Sequence, residues 1–143
     1  GSGFPLGACM TTNNACVGMV KGIHGSTYGG NPLAVSVGIE VIKILSNPNF
    51  IKKIDENARY LWDELKKLDK KFDEILEVRG AGFLLGIKIK SNNLEVIKLL
   101  LDNELLCLPA ADNIIRLAPP LIINQDEIDM GLTIIDKVFK EIT

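Results

Sequence analysis

Three features of the sequence predict an α/β fold: two Asn-Pro helix starts in its first half, a change of hydrophobic period part-way along, and a run of short alternating segments after that change. The predicted order is a strand, two long helices, then a small α+β portion in which strands and helices interleave. "FPLGACMTT", from Phe4 to Thr12, is small and apolar enough for a buried strand, and the turn-type residues Thr11 to Asn14 close it. A glycine-rich stretch follows. Asn31 then offers a side-chain oxygen as an N-cap, and Pro32 suits the first helical position, where its missing N–H would have no partner anyway. Leu33, Val37, Val41 and Ile44 carry this helix to about Leu45. Asn47-Pro48 repeats the device. Ile51, Ile54, Ala58, Leu61, Leu65 and Leu68 mark one face of a long amphipathic helix, and the charge run Lys66 to Lys71 is its solvated end.

The period then shortens to two. Ile75 to Arg79 and Phe83 to Lys90 read as strands around "RGAG", and "GIKIK" alternates apolar with charged residues as a half-buried sheet does. Leu94 to Leu101 reads as a short helix, and Leu105 to Pro109 and Ile114 to Ala118 as strands, the second ended by Pro119-Pro120. Asn124, with Glu127 three residues on, forms a capping-box pattern, and Ile128, Leu132, Ile135, Val138 and Phe139 give the last helix its apolar stripe.

Composition narrows the function classes. At 143 residues and 47% hydrophobic, the chain is long enough for one ordinary core. Lys and Arg number 16 against 18 Asp and Glu, without a segregated basic run, so the electrostatic footprint of a nucleic-acid binder is missing. The longest apolar runs fall short of the ~20 residues a membrane-spanning helix needs, so no membrane partner is expected. Cys9, Cys16 and Cys107 are odd in number and lack metal-like spacing, which reads as reduced thiols in a cytoplasmic protein. No charged segment followed by an apolar stretch is visible at the start of the chain, so no secretory signal is expected.

The chemistry concentrates in "KGIHGSTYGGNPLA", Lys21 to Ala34. Gly25, Ser26 and Thr27 stand ahead of Gly29-Gly30 and a helix start. Glycines let backbone N–H groups turn toward an anion without a Cβ in the way, and the hydroxyls add donors, so the stretch suits a phosphate. It matches neither a Walker loop nor a dinucleotide fingerprint, and a tight loop capped by its own hydroxyls explains the same residues. His24 is the only histidine, and no Ser-His-Asp or metal cluster can be assembled around it. In "NIIRLAPPLII", Arg116 is flanked by apolar residues on both sides, an expected buried charge that needs a carboxylate from the protein or from a ligand. Arg79, at a strand end in "VRGAG", reads as structural.

"GFPLGA", "HGSTYGGNPLA", "VRGAGFLLGI" and "NIIRLAPPLII", in this order and at these intervals, resemble the C-terminal portion of a class III pyridoxal-phosphate aminotransferase, within it the acetylornithine and ornithine aminotransferases. The resemblance spans essentially the whole chain. It implies a fold-type I homodimer in which Gly1 to Asn31 end the large cofactor-binding domain, including the phosphate loop, and Pro32 to Thr143 form a linking helix and the small α+β domain. By the same resemblance, Thr27 reaches across the dimer interface to the phosphate of pyridoxal 5'-phosphate, Ser26 contacts substrate, and Arg116 recognises a carboxylate of an active-site glutamate or of the substrate. The Schiff-base lysine is expected upstream of Gly1. Lys21 has no catalytic counterpart, so these residues alone are expected to be inactive. The implied reaction moves the δ-amino group of N-acetylornithine to 2-oxoglutarate in arginine biosynthesis; the alternatives are ornithine or 4-aminobutyrate as donor, or a non-catalytic α/β ligand-binding or interaction module.

Overall fold

Capping chemistry sets the helix starts where the sequence places them. In a computed structural model describing all 143 residues, helix α1 spans Pro32–Leu45, and Asn31 Oδ1 accepts from the Ala34 N–H at 2.9 Å. Helix α2 spans Pro48–Lys71, with the Asn47 side chain accepting from the Asn49 N–H at 2.9 Å. Strands β1, Ile75–Ala81, and β2, Leu84–Ile89, form a hairpin; helix α3, Asn93–Asp102, follows, then strands β3, Leu108–Ala110, and β4, Ile114–Leu117. Helix α4, Gln125–Ile142, opens on the expected capping box, in which Asn124 and Glu127 each accept from the other's backbone N–H at 2.9 Å.

Two sequence expectations fail. Phe4 to Thr12 forms no strand: these residues are mostly exposed and contribute nothing to the sheet, whose four strands all come from beyond residue 74. Small apolar composition is not enough to make a strand where no neighbouring strand offers hydrogen bonds. The second is the strand at Leu105 to Pro109, which begins only at Leu108. The preceding residues are used to close α3. The N–H of Leu105 bonds back to Leu100 and that of Glu104 to Leu101, both at 2.9 Å, a Schellman arrangement with Glu104 in the left-handed region at φ +67°.

The chain divides into residues 1–51 and residues 52–143. In the second unit the sheet runs β1-β2-β4-β3, antiparallel throughout. The β1–β2 turn needs its glycines: Gly82 sits at φ +55°, and at Gly80, φ +136°, a Cβ would lie 2.2 Å from the Leu84 carbonyl oxygen. Because successive side chains in a strand point to opposite faces, Val78, Leu85, Ile87, Ile89, Ile115 and Leu117 share one face. They join Leu65 of α2, Val96 and Leu100 of α3 and Val138 and Phe139 of α4 in a single core. Leu65, Ile115, Val138 and Phe139 are wholly buried, each stabilising the fold by roughly 1.5–3 kcal/mol. The opposite face carries Glu77, Arg79, Gly86, Lys88, Leu108 and Arg116.

Candidate functional site

The glycine-rich loop belongs to residues 1–51. Ser26 and Gly29 close a turn through the Gly29 N–H and the Ser26 carbonyl at 3.3 Å, which places Thr27 and Tyr28 at its apex. The Asn31 side-chain amide donates to the Tyr28 carbonyl at 2.8 Å, so the helix cap also fixes the end of the loop. Gly30, at φ +69°, makes the bend into α1. Ser26 packs close against Gly29, where a Cβ would meet Ser26 Cβ at 3.1 Å. His24, Ser26, Thr27 and Tyr28 are all exposed. Space around Gly25 is open, since nothing lies within 4 Å of a Cβ built there. An exposed Thr27 hydroxyl at a turn apex beside an unobstructed glycine fits a phosphate group, which needs donors and close backbone approach.

Arg116 belongs to residues 52–143, and its environment differs from the one its neighbours imply. It is exposed: Ile115 and Leu117 point into the core and Arg116 to the other face, so its apolar flanks in sequence are not its surroundings in space. The expected buried charge is therefore corrected to a surface guanidinium, and no carboxylate of the chain pairs with it, which removes the internal salt bridge. Arg79 does have partners. Its guanidinium lies 3.7 Å from Glu77 and 3.5 Å from Asp112, in keeping with the structural reading. Asp112 also accepts from Lys88 at 2.8 Å, and this hydrogen bond, ahead of the nearby positive charges, holds its carboxyl below the usual carboxylate range. Asp112 is a residue that sequence reasoning missed. Its signal was the Asp-Asn pair before β4, two residue types that tolerate the left-handed backbone they adopt, at φ +64° and +58°.

No acid–base catalyst emerges elsewhere. Burial pushes the Cys107 thiol up to about 11, which keeps it protonated and inert near neutrality. The hydrogen bond from Tyr60 to the Asp129 carboxylate, 2.6 Å long, pushes the phenol up to about 12. Cys9, Cys16 and Cys107 are free thiols, Cys9 exposed and Cys107 buried. A pocket of about 390 Å³ beside Leu61, Leu117, Pro119, Ile123 and Ile128 has one ionisable residue in its lining, Glu127, whose carboxylate already serves the capping box. That lining lacks the convergent polar groups of a catalytic site. No helix is long and apolar enough to cross a membrane.

Comparison with known proteins shows the family to which these residues belong. The family model "Aminotransferase class-III" matches residues 1–139. The chain belongs to the class III aminotransferases. The acetylornithine aminotransferase of Mesorhizobium japonicum is 41% identical over 133 residues, covering 92% of this chain and 33% of that protein. The acetylornithine aminotransferase of Agrobacterium fabrum is 40% identical, covering 100% of this chain and 36% of its own length. Among solved structures, the acetylornithine aminotransferase from Elizabethkingia anophelis superposes with a TM-score of 0.78 at 35% identity, over 90% of this chain and 35% of that one. An ornithine aminotransferase from Plasmodium yoelii gives 0.79 at 35% identity, over 87% and 34%. The chain thus spans about a third of the length of the relatives it matches. Class III aminotransferases depend on pyridoxal phosphate.

Proposed function

We propose that this chain is part of an acetylornithine aminotransferase that moves the δ-amino group of N-acetylornithine to 2-oxoglutarate, on the route to arginine. The observation that carries the reading is the match to acetylornithine aminotransferases at about 40% identity over nearly the whole chain. In this reading residues 1–31 end the large cofactor-binding domain, and residues 32–143 are the linking helix and small domain. The three free thiols support a cytoplasmic location.

Bound pyridoxal phosphate supplies an electron sink for breaking and making bonds at the amino-bearing carbon. The residues of this chain bind and orient. Thr27, exposed at its turn apex, donates its hydroxyl to the phosphate of a partner subunit's site in a homodimer. Ser26, one residue before it, contacts the substrate. Arg116, a guanidinium with five donors and no internal carboxylate, takes a carboxylate in a forked geometry. The lysine that attaches the cofactor is not assigned among these residues. The 143 residues alone are therefore expected to give neither a change in cofactor absorbance nor turnover.

The deciding experiment compares amine donors in the full-length enzyme. N-acetylornithine should give the highest kcat/KM, ahead of ornithine and 4-aminobutyrate. A clear preference for ornithine would replace this reading with the second one, ornithine aminotransferase, which the Plasmodium yoelii superposition favours. In the same enzyme Thr27→Ala should weaken cofactor retention by ~1–3 kcal/mol with the fold intact. Equal cofactor affinity in dialysed variant and parent would take Thr27 out of the site.

A further inference from the structure

The face of the sheet turned away from the core carries Glu77, Arg79, Lys88 and Arg116 on its strands, with Asp112 in the loop between β3 and β4. Four of these groups account for one another. Arg79 Nη1 lies 3.7 Å from Glu77 Oε2, Arg79 Nη2 lies 3.5 Å from Asp112 Oδ2, and Lys88 Nζ donates to the same Asp112 oxygen at 2.8 Å. Two carboxylates thus neutralise two cations, and the uncompensated positive charge of the face resides on Arg116. The strand register puts Arg79, Gly86 and Arg116 in one row, with Glu77 and Lys88 in the next. Gly86 leaves the space between the two arginines without a side chain of its own, and Ile114 Cγ2 occupies it, 2.8 Å from where a Cβ at Gly86 would stand. The strip between the arginines is therefore apolar.

Asp112 is held in place by more than its ion pairs. The next residue, Asn113, donates to the carbonyls of Ile89 and Ser91, at 2.8 and 2.5 Å, and accepts from the Asn93 N–H at 2.9 Å. These bonds clamp the β3–β4 loop to the end of β2 and the start of α3, and the Asp112 carboxylate is carried with it. Without that carboxylate, three cations within one small area would compete for an incoming anion, which would bind in several poses.

We infer that Asp112 is a specificity-determining residue: by holding Lys88 and Arg79 it leaves Arg116 as the one guanidinium of this face open to a substrate carboxylate. The inference rests on the reading of Arg116 as the carboxylate contact. Asp112 touches no substrate. It acts by occupying the competing cations.

Succinate, titrated into the full-length enzyme while the side-chain Nε–H resonances of Arg79 and Arg116 are followed by NMR, tests it. Of these two, only the Arg116 resonance should move in the parent enzyme. In Asp112→Asn, a change that keeps a residue tolerant of the left-handed backbone, Arg79 should move as well and succinate should bind roughly two- to fivefold more tightly. Asp63→Asn removes the same charge from an exposed position on α2 and should leave the affinity unchanged, separating a local effect from net charge. A response still confined to Arg116 at unchanged affinity in Asp112→Asn overturns the inference and leaves the carboxylate reading standing. A parent enzyme whose Arg116 resonance ignores succinate overturns both.

Discussion

Glu104 shows what a single backbone angle costs. At φ +67° its Cβ crowds the neighbouring carbonyl, a conformation that glycine adopts freely and other L-residues do not. The position is nevertheless required, because the N–H groups of Glu104 and Leu105 close α3 from there. Glu104→Gly is expected to raise stability by about 0.5–1 kcal/mol, the relief of strain being offset in part by the freer unfolded chain. Chemical denaturation of the two forms measures it, and a midpoint that falls would show that the glutamate side chain contributes something the hydrogen bonds do not reveal. Arg116 makes the complementary point about side chains. Its neighbours in sequence are apolar, yet one-residue alternation turns it outward, so the environment that sets its chemistry is Gly86 and the far face of the sheet.

Between elements, charge placement ties the ends of α2 and α4. The Asp136 carboxylate of α4 accepts from Lys140 at 2.6 Å and from Lys71 in the last turn of α2. The hydrogen bond from Lys140, then that from Lys71, holds the Asp136 carboxyl below its ordinary 3.8. A carboxyl lower in the folded than in the unfolded chain contributes stability above its unfolded value and loses it as pH falls through the folded one. Asp136→Asn should therefore cost about 0.5–1 kcal/mol at pH 7, the modest size reflecting a partly solvated pair. The gap between the two proteins should close as pH drops below 3.8, and thermal melts across pH 2–7 would reveal it. A gap independent of pH would assign the cost to packing. The capping box at Asn124 and Glu127 is the element-scale feature most directly readable in advance, because both partners lie three residues apart and need no tertiary contact.

For the molecule as a whole, the two units stand very differently toward water. Residues 52–143 gather their apolar side chains into one core. In residues 1–51 the single buried apolar side chain is Ala34, while Leu33, Ile42 and Ile44 of α1 are each more than half exposed. A helix apolar on most sides is ordinarily covered by protein, so the chain by itself should bind the dye ANS and associate as its concentration rises. Ile42→Glu together with Ile44→Glu should reduce both signals; dye binding unaltered by these changes would place the apolar surface elsewhere. The sequence alone determined the helix starts, the β1–β2 hairpin and the family motifs, since caps, turns and side-chain periods depend on residues close together along the chain. Tertiary structure decided that Phe4 to Thr12 is not a strand, that Arg116 faces outward without a carboxylate, and that Asp112 binds Lys88 and Arg79. Each of these depends on which distant backbone lies alongside, and local sequence preference does not encode that.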